Sequence, residues 1–148
     1  MTGLKKEGLL KNRNDQIEII RKKIIEELNP KLIYLFGSYA KHRENDESDI
    51  DVAVLCEEKI NPVKLFNLQL SLGQLVDRDV DLIDMSIIDI PFKIEIISAR
   101  YPLFQISEES RCKFEMNTIS QYGRFNEERE IIFEKRLGLS GGELWKLF

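Results

Sequence analysis

Asp49 and Asp51 stand one residue apart in the segment SDIDVAVL. On an extended strand, residues i and i+2 point to the same face, about 7 Å apart along the chain. Two carboxylates so placed repel each other unless a cation sits between them, and aspartate is a poor strand former. The pair works against local propensity, which is where function is often found. The other parity, Ile50, Val52 and Val54, is apolar and anchors the strand. The acidic face is then either a solvated one or a metal-binding one. A second segment, RDVDLIDM, carries Asp79 and Asp81 in one parity and Asp84 in the other. If this strand lies beside the first, Asp81 can converge on Asp49 and Asp51. Upstream, Gly37-Ser38 follows the apolar run LIYLF. A glycine there lets backbone approach a ligand closely, and N–H groups at a helix start suit a phosphate; a plain Gly-Ser turn is the competing reading. Three carboxylates, a phosphate-friendly turn and a single histidine, His42, suggest oxygen-ligated Mg²⁺ rather than zinc. Two such ions can activate an attacking oxygen and neutralise a leaving pyrophosphate. Asp81 is then the natural proton acceptor for an incoming hydroxyl.

The elements that must position these residues follow from periodicity. Ile17, Ile20, Ile24, Ile25 and Leu28 recur at helical spacing, with Asn14 or Asp15 as cap and Asn29-Pro30 as stop. Residues 32–36 read as a buried strand and 39–48 as a short helical turn and loop. A period-two strand covers 49–55, and Pro62 opens a helix running to about Asp77. A third strand covers 80–85 and a helix runs from about Pro91 to Arg100. An edge strand is expected at 103–106 and a long helix over 108–137. The order indicates a small α/β domain with a helical tail. Residues 1–14 are expected to form a flexible N-terminus, 15–137 the domain, and 138–148 a flexible or partner-contacting tail. Tyr122, Phe125 and Phe133 on the last helix read either as core or as a partner-facing surface.

Composition excludes several classes. A length of 148 residues favours one domain, and 43% hydrophobic with 32% charged residues is an ordinary globular balance. A net charge of −4 argues against stable binding to nucleic acid by blanket attraction. No window approaches the roughly 18 apolar residues of a membrane span, and the first residues lack the pattern of a secretory signal. Cys56 and Cys112 are far apart and fit a reducing cytoplasm. One histidine excludes any site that needs two imidazoles.

Gly37-Ser38, ten residues, then Asp49-Ile50-Asp51 resembles the signature of the DNA polymerase beta-type nucleotidyltransferases. The segments VDLIDM, IPFKIEIISARYPLF and YGRFNEEREIIFEKRL resemble the minimal, MntA-type members, so the likeness spans roughly residues 15–137. The resemblance implies an α/β (α+β) fold, a small mixed β-sheet flanked by helices, with a C-terminal helical tail. It implies that Gly37 and Ser38 hold the triphosphate of ATP, the substrate. Asp49 and Asp51 would bind two Mg²⁺, and Asp81 would complete the catalytic and metal site. Members of this type are antitoxins paired in hetero-oligomers with an all-helical HEPN ribonuclease toxin, HepT. They transfer AMP from ATP to a toxin tyrosine. Where the family often has Arg-Gly, this chain has Lys41-His42. Lys41 keeps a positive charge near the phosphates as a point charge rather than a planar fork, and His42 could stiffen the loop. Arg43 is close enough in sequence to serve the phosphates, or to sit on the solvated surface. Two alternatives remain: a non-catalytic antitoxin that neutralises by covering its partner, and a small-molecule nucleotidyltransferase, which usually carries a further substrate-binding domain.

Overall fold

The computed structural model describes residues 12–41 and 48–137. Among these described residues, five helices and four strands follow in the order α1 (Arg13–Leu28), β1 (Leu32–Phe36), α2 (Gly37–Ala40), β2 (Ile50–Leu55), α3 (Pro62–Val76), β3 (Val80–Asp84), α4 (Ile90–Ser98), β4 (Pro102–Gln105) and α5 (Glu108–Leu137). The sheet order is β3-β2-β1-β4. β1 runs antiparallel to both β2 and β4, while β2 and β3 are parallel and joined through α3. This is the small mixed sheet flanked by helices that the sequence implied. No described helix is long and apolar enough to cross a membrane.

Alternation along the strands builds two cores. Ile33, Leu35, Ile50, Val52, Val54, Val80 and Leu82 face α1 and α3, where Ile20, Ile24, Leu72 and Val76 close over them. Leu32, Tyr34, Phe36 and Ala53 face the other way, toward Ile96 of α4 and Phe114 of α5. Each fully buried Leu, Ile or Val contributes roughly 1.5–3 kcal/mol. All five residues of β1 are buried, as a central strand covered on both faces must be.

Several boundaries move. α1 starts at Arg13, not Asp15, because Asn12 has the extended backbone a cap requires and its side chain accepts from Asn14 N at 2.9 Å. The stop is as expected: Asn29 takes the left-handed conformation at φ 47°. β2 begins at Ile50, with Asp49 just ahead of it, and β4 lies one residue earlier than its apolar run suggested. α5 packs on α4 and β4, and the core reading of its outer apolar positions does not hold. Ile119, Ile131 and Ile132 are exposed, while Tyr122 and Phe125 are half-buried, because no other described element of the chain covers that stretch. His42, Arg43, residues 1–11, the tail 138–148 and the side chain of Phe133 lie outside the described residues.

The two sheet edges are both blunted. On β3 the N–H of Leu82 donates to Oε1 of Gln69 at 2.9 Å. β4 begins at Pro102, which has no N–H to offer.

Candidate active site

Phe36, Asp51 and Asp81 stand abreast on β1, β2 and β3. Asp51 and Asp81 share a parity, so the parallel pairing of β2 with β3 sets their carboxylates side by side. Asp49, at the mouth of β2, has the same parity. Asp49 and Asp81 are exposed and Asp51 is half-buried. Burial, then the neighbouring Asp81 and Asp49, push the Asp51 carboxyl up to about 6. Asp84, of opposite parity, is buried and serves structure: it accepts from Ile60 N at 2.9 Å and from Ser86 N and Oγ at 2.9 and 2.7 Å.

β1 ends where the phosphate-friendly turn begins. Gly37 has φ +70°, a region that disfavours a Cβ, and a Cβ built on it would collide with Oδ2 of Asp51. Glycine is therefore required twice, and the Asp51 carboxylate lies against the Gly37 backbone. Ser38 follows, half-buried, in the single turn of α2. The Lys41 N–H donates to the Gly37 carbonyl at 3.3 Å, and Lys41 is exposed. All six residues singled out by the sequence thus fall at one end of the sheet.

The residues that hold this end were not visible in the sequence. Tyr39 is buried, and its hydroxyl donates to Oε1 of Gln16 at 3.2 Å. Gln16 in turn donates to the Val76 carbonyl at 3.3 Å. Arg13 donates to the Tyr39 carbonyl, which ties the turn to α1 from a second direction. Arg78 lies 5.6 Å from the Tyr39 ring centre and donates to the Ser48 carbonyl at 3.2 Å. A tyrosine two residues past Gly37 was the available signal, but its partners come from elements 23 and 39 residues away in sequence.

The carboxylates offer only hard oxygen donors, the set Mg²⁺ prefers, and Asp51 carries crowded negative charge that a divalent ion would relieve. Among the described residues no three His, Cys, Asp or Glu side chains are grouped so that they could hold a metal ion as they stand. Beside the acids lies a cleft of about 880 Å³, lined by Ser48, Asp49, Asp79, Asp81 and the last turns of α3.

A mixed sheet carrying Gly-Ser and three carboxylates at one end defines a nucleotidyltransferase. Residues 18–109 match the family described as Polymerase beta, Nucleotidyltransferase, and the chain belongs to it. It is 31% identical over 125 residues to the protein adenylyltransferase MntA of Shewanella oneidensis, across 83% of this chain and 86% of that protein. Its fold superposes with a TM-score of 0.65, at 31% identity, on a toxin–antitoxin structure with AMP-PNP, over 79% of this chain and 98% of the other. A tri-AMPylated Shewanella oneidensis HEPN toxin in complex with its MNT antitoxin gives a TM-score of 0.62 at 27% identity, over 82% and 98%.

Proposed function

We propose that this chain is an antitoxin that transfers AMP from ATP to a tyrosine of a cognate HEPN ribonuclease toxin and so silences it, the two forming a hetero-oligomer. The observation that carries this reading is the register of Asp51 with Asp81 directly beside Gly37. That proximity supports a reading in which a phosphate on the Gly37 backbone and cations on the acid pair would meet at one phosphorus atom. The relatives named above supply the acceptor class.

Gly37, Ser38 and Lys41 hold the triphosphate. Asp49, Asp51 and Asp81 would hold two Mg²⁺, which would neutralise charge on the phosphates and the leaving group. The tyrosine oxygen bonds to the α-phosphorus of ATP, the bond from that phosphorus to the bridging oxygen breaks, and pyrophosphate leaves with the electron pair. The hydroxyl proton passes to a carboxylate oxygen of Asp81. The free thiols Cys56 and Cys112 fit a cytoplasmic setting, where ATP is abundant.

The test is transfer of label. The chain, Mg²⁺, labelled ATP and the cognate toxin are mixed, and the toxin is weighed by mass spectrometry for added AMP. Asp49→Ala/Asp51→Ala is expected to abolish labelling while leaving the complex intact. Labelling by the double variant would refute the site assignment. An intact wild-type complex that never labels would leave neutralisation by binding alone.

A further inference from the structure

Across the sheet the site has two ends. Gly37 closes β1, Asp51 stands on β2 and Asp81 on β3. The cleft continues on the Asp81 side, where Asp77, Asp79, Leu70 and Gly73 join Asp49 and Asp81 in its lining. With the triphosphate at the Gly37 end, the acceptor hydroxyl has to arrive through that cleft. One of its walls runs on outward. Phe66, Leu70, Gly73 and Asp77 follow at steps of four, three and four, which is a single line along a helix. The last three line the cleft; Phe66 stands a turn beyond, and Val63 a turn beyond that. Val63 is 67% exposed, Phe66 56% and Leu70 50%. The opposite side of α3, with Leu68, Leu72 and Val76, already fills the core. The exposed line is therefore surplus to folding, and it leads straight out of the catalytic cleft.

Charge identifies what would lie there. With Asp49 and Asp81 assigned to the metal ions, Asp77 and Asp79 are the acids left in the cleft lining; among the described residues the guanidinium that faces them is that of Arg78, which is engaged with the Ser48 carbonyl and the Tyr39 ring. A segment complementary to this cleft is cationic. A small-molecule acceptor would have no use for Val63 and Phe66, which lie outside it.

We propose that α3 is the docking rail for the acceptor protein. The partner lays an apolar patch along Val63, Phe66 and Leu70 and sends a Lys- or Arg-rich segment, bearing the acceptor hydroxyl, into the cleft toward Asp81. The inference rests on the adenylyl-transfer reading above and uses the same balanced step.

The experiment uses the full chain with its cognate HEPN toxin. Phe66→Glu and Val63→Glu are compared with wild type and with Ile87→Glu, an exposed apolar residue after β3 (59% exposed). Three quantities are read: labelling rate at sub-saturating toxin, complex formation by gel filtration, and the rise in melting temperature with AMP-PNP and Mg²⁺. Phe66→Glu is expected to slow labelling at least tenfold and weaken the complex, with Val63→Glu weaker in the same sense. The AMP-PNP response stays at the wild-type value, which shows that the variants fold, and Ile87→Glu matches wild type. Asp77→Asn/Asp79→Asn is expected to raise the KM for toxin several-fold and flatten its salt dependence; asparagine keeps the left-handed conformation Asp77 adopts at φ 53°. Wild-type labelling and binding by both glutamate variants, or an equal loss in Ile87→Glu, would overturn the rail. If the wild type binds toxin without labelling it and Phe66→Glu still loses the complex, the transfer reading fails and the rail stands.

Discussion

Asp51 is where the demands of folding and of the proposed chemistry collide. Its carboxyl lies at about 6, above its ordinary 3.8, so the native chain holds that proton more tightly than the unfolded chain does. The resulting penalty is absent below about pH 4, grows as pH rises through the interval up to 6, and is complete above it. Discounted for the solvent screening of a half-buried group, that penalty is on the order of 1–2 kcal/mol. Asp51→Asn is therefore expected to raise the melting temperature at pH 8 by ~3–8 °C and to change it little at pH 4. A variant less stable than wild type at pH 8 would show that the carboxylate is not under strain. The shared face of Asp49, Asp51 and Asp81 was legible because parity along each strand is set by sequence alone, and parity likewise separated Asp84; that β3 lies beside β2 in this register was only a condition of the reading, and the fold met it. Arg78 was not legible, because a cation over a ring 39 residues away leaves no local pattern.

Single elements hold this end of the sheet in place. The turn Gly37–Ala40 is one helical turn, too short to be stable by itself. Its position comes from α1 and from the end of α3, through the chain Tyr39–Gln16–Val76. Gln16→Leu deletes that buried link and leaves polar atoms without it, at a cost of about 1–3 kcal/mol. The expected kinetic result is a several-fold rise in KM for ATP with toxin binding unchanged. An unchanged KM for ATP would mean that the turn is fixed by other contacts. Helices and strands were largely legible from apolar spacing. The cap of α1 was not, since Asn12, Asn14 and Asp15 are all competent caps and backbone conformation chooses between them.

At the scale of the whole molecule, three strands bring Gly37, Asp51 and Asp81 to one end of the sheet, where like charges crowd. A ligand that bridges Gly37 to the acids binds the folded chain and not the unfolded one, so it must stabilise the whole. At a hundredfold excess over its dissociation constant the gain is about 2.7 kcal/mol. AMP-PNP with Mg²⁺ is expected to raise the melting temperature by several degrees, and EDTA to remove most of that rise. A response indifferent to EDTA would argue against the metal role of the three aspartates. At this scale the mixed sheet was legible through family likeness, not through periodicity. The exposed outer half of α5 was not, because apolar spacing reports which residues share a helix face and says nothing of whether the chain has anything left to cover it.

The covered N–H of Leu82 and the proline that opens β4 bear on how the molecule behaves in a crowd. A strand rim with free donors recruits strands from other molecules and seeds fibrils. Here one rim has spent a donor on Gln69 and is fringed by acids, and the other starts with a residue unable to pair. Concentrated solutions of this chain should stay free of thioflavin-positive aggregates, with Gln69→Ala the variant that first forms them.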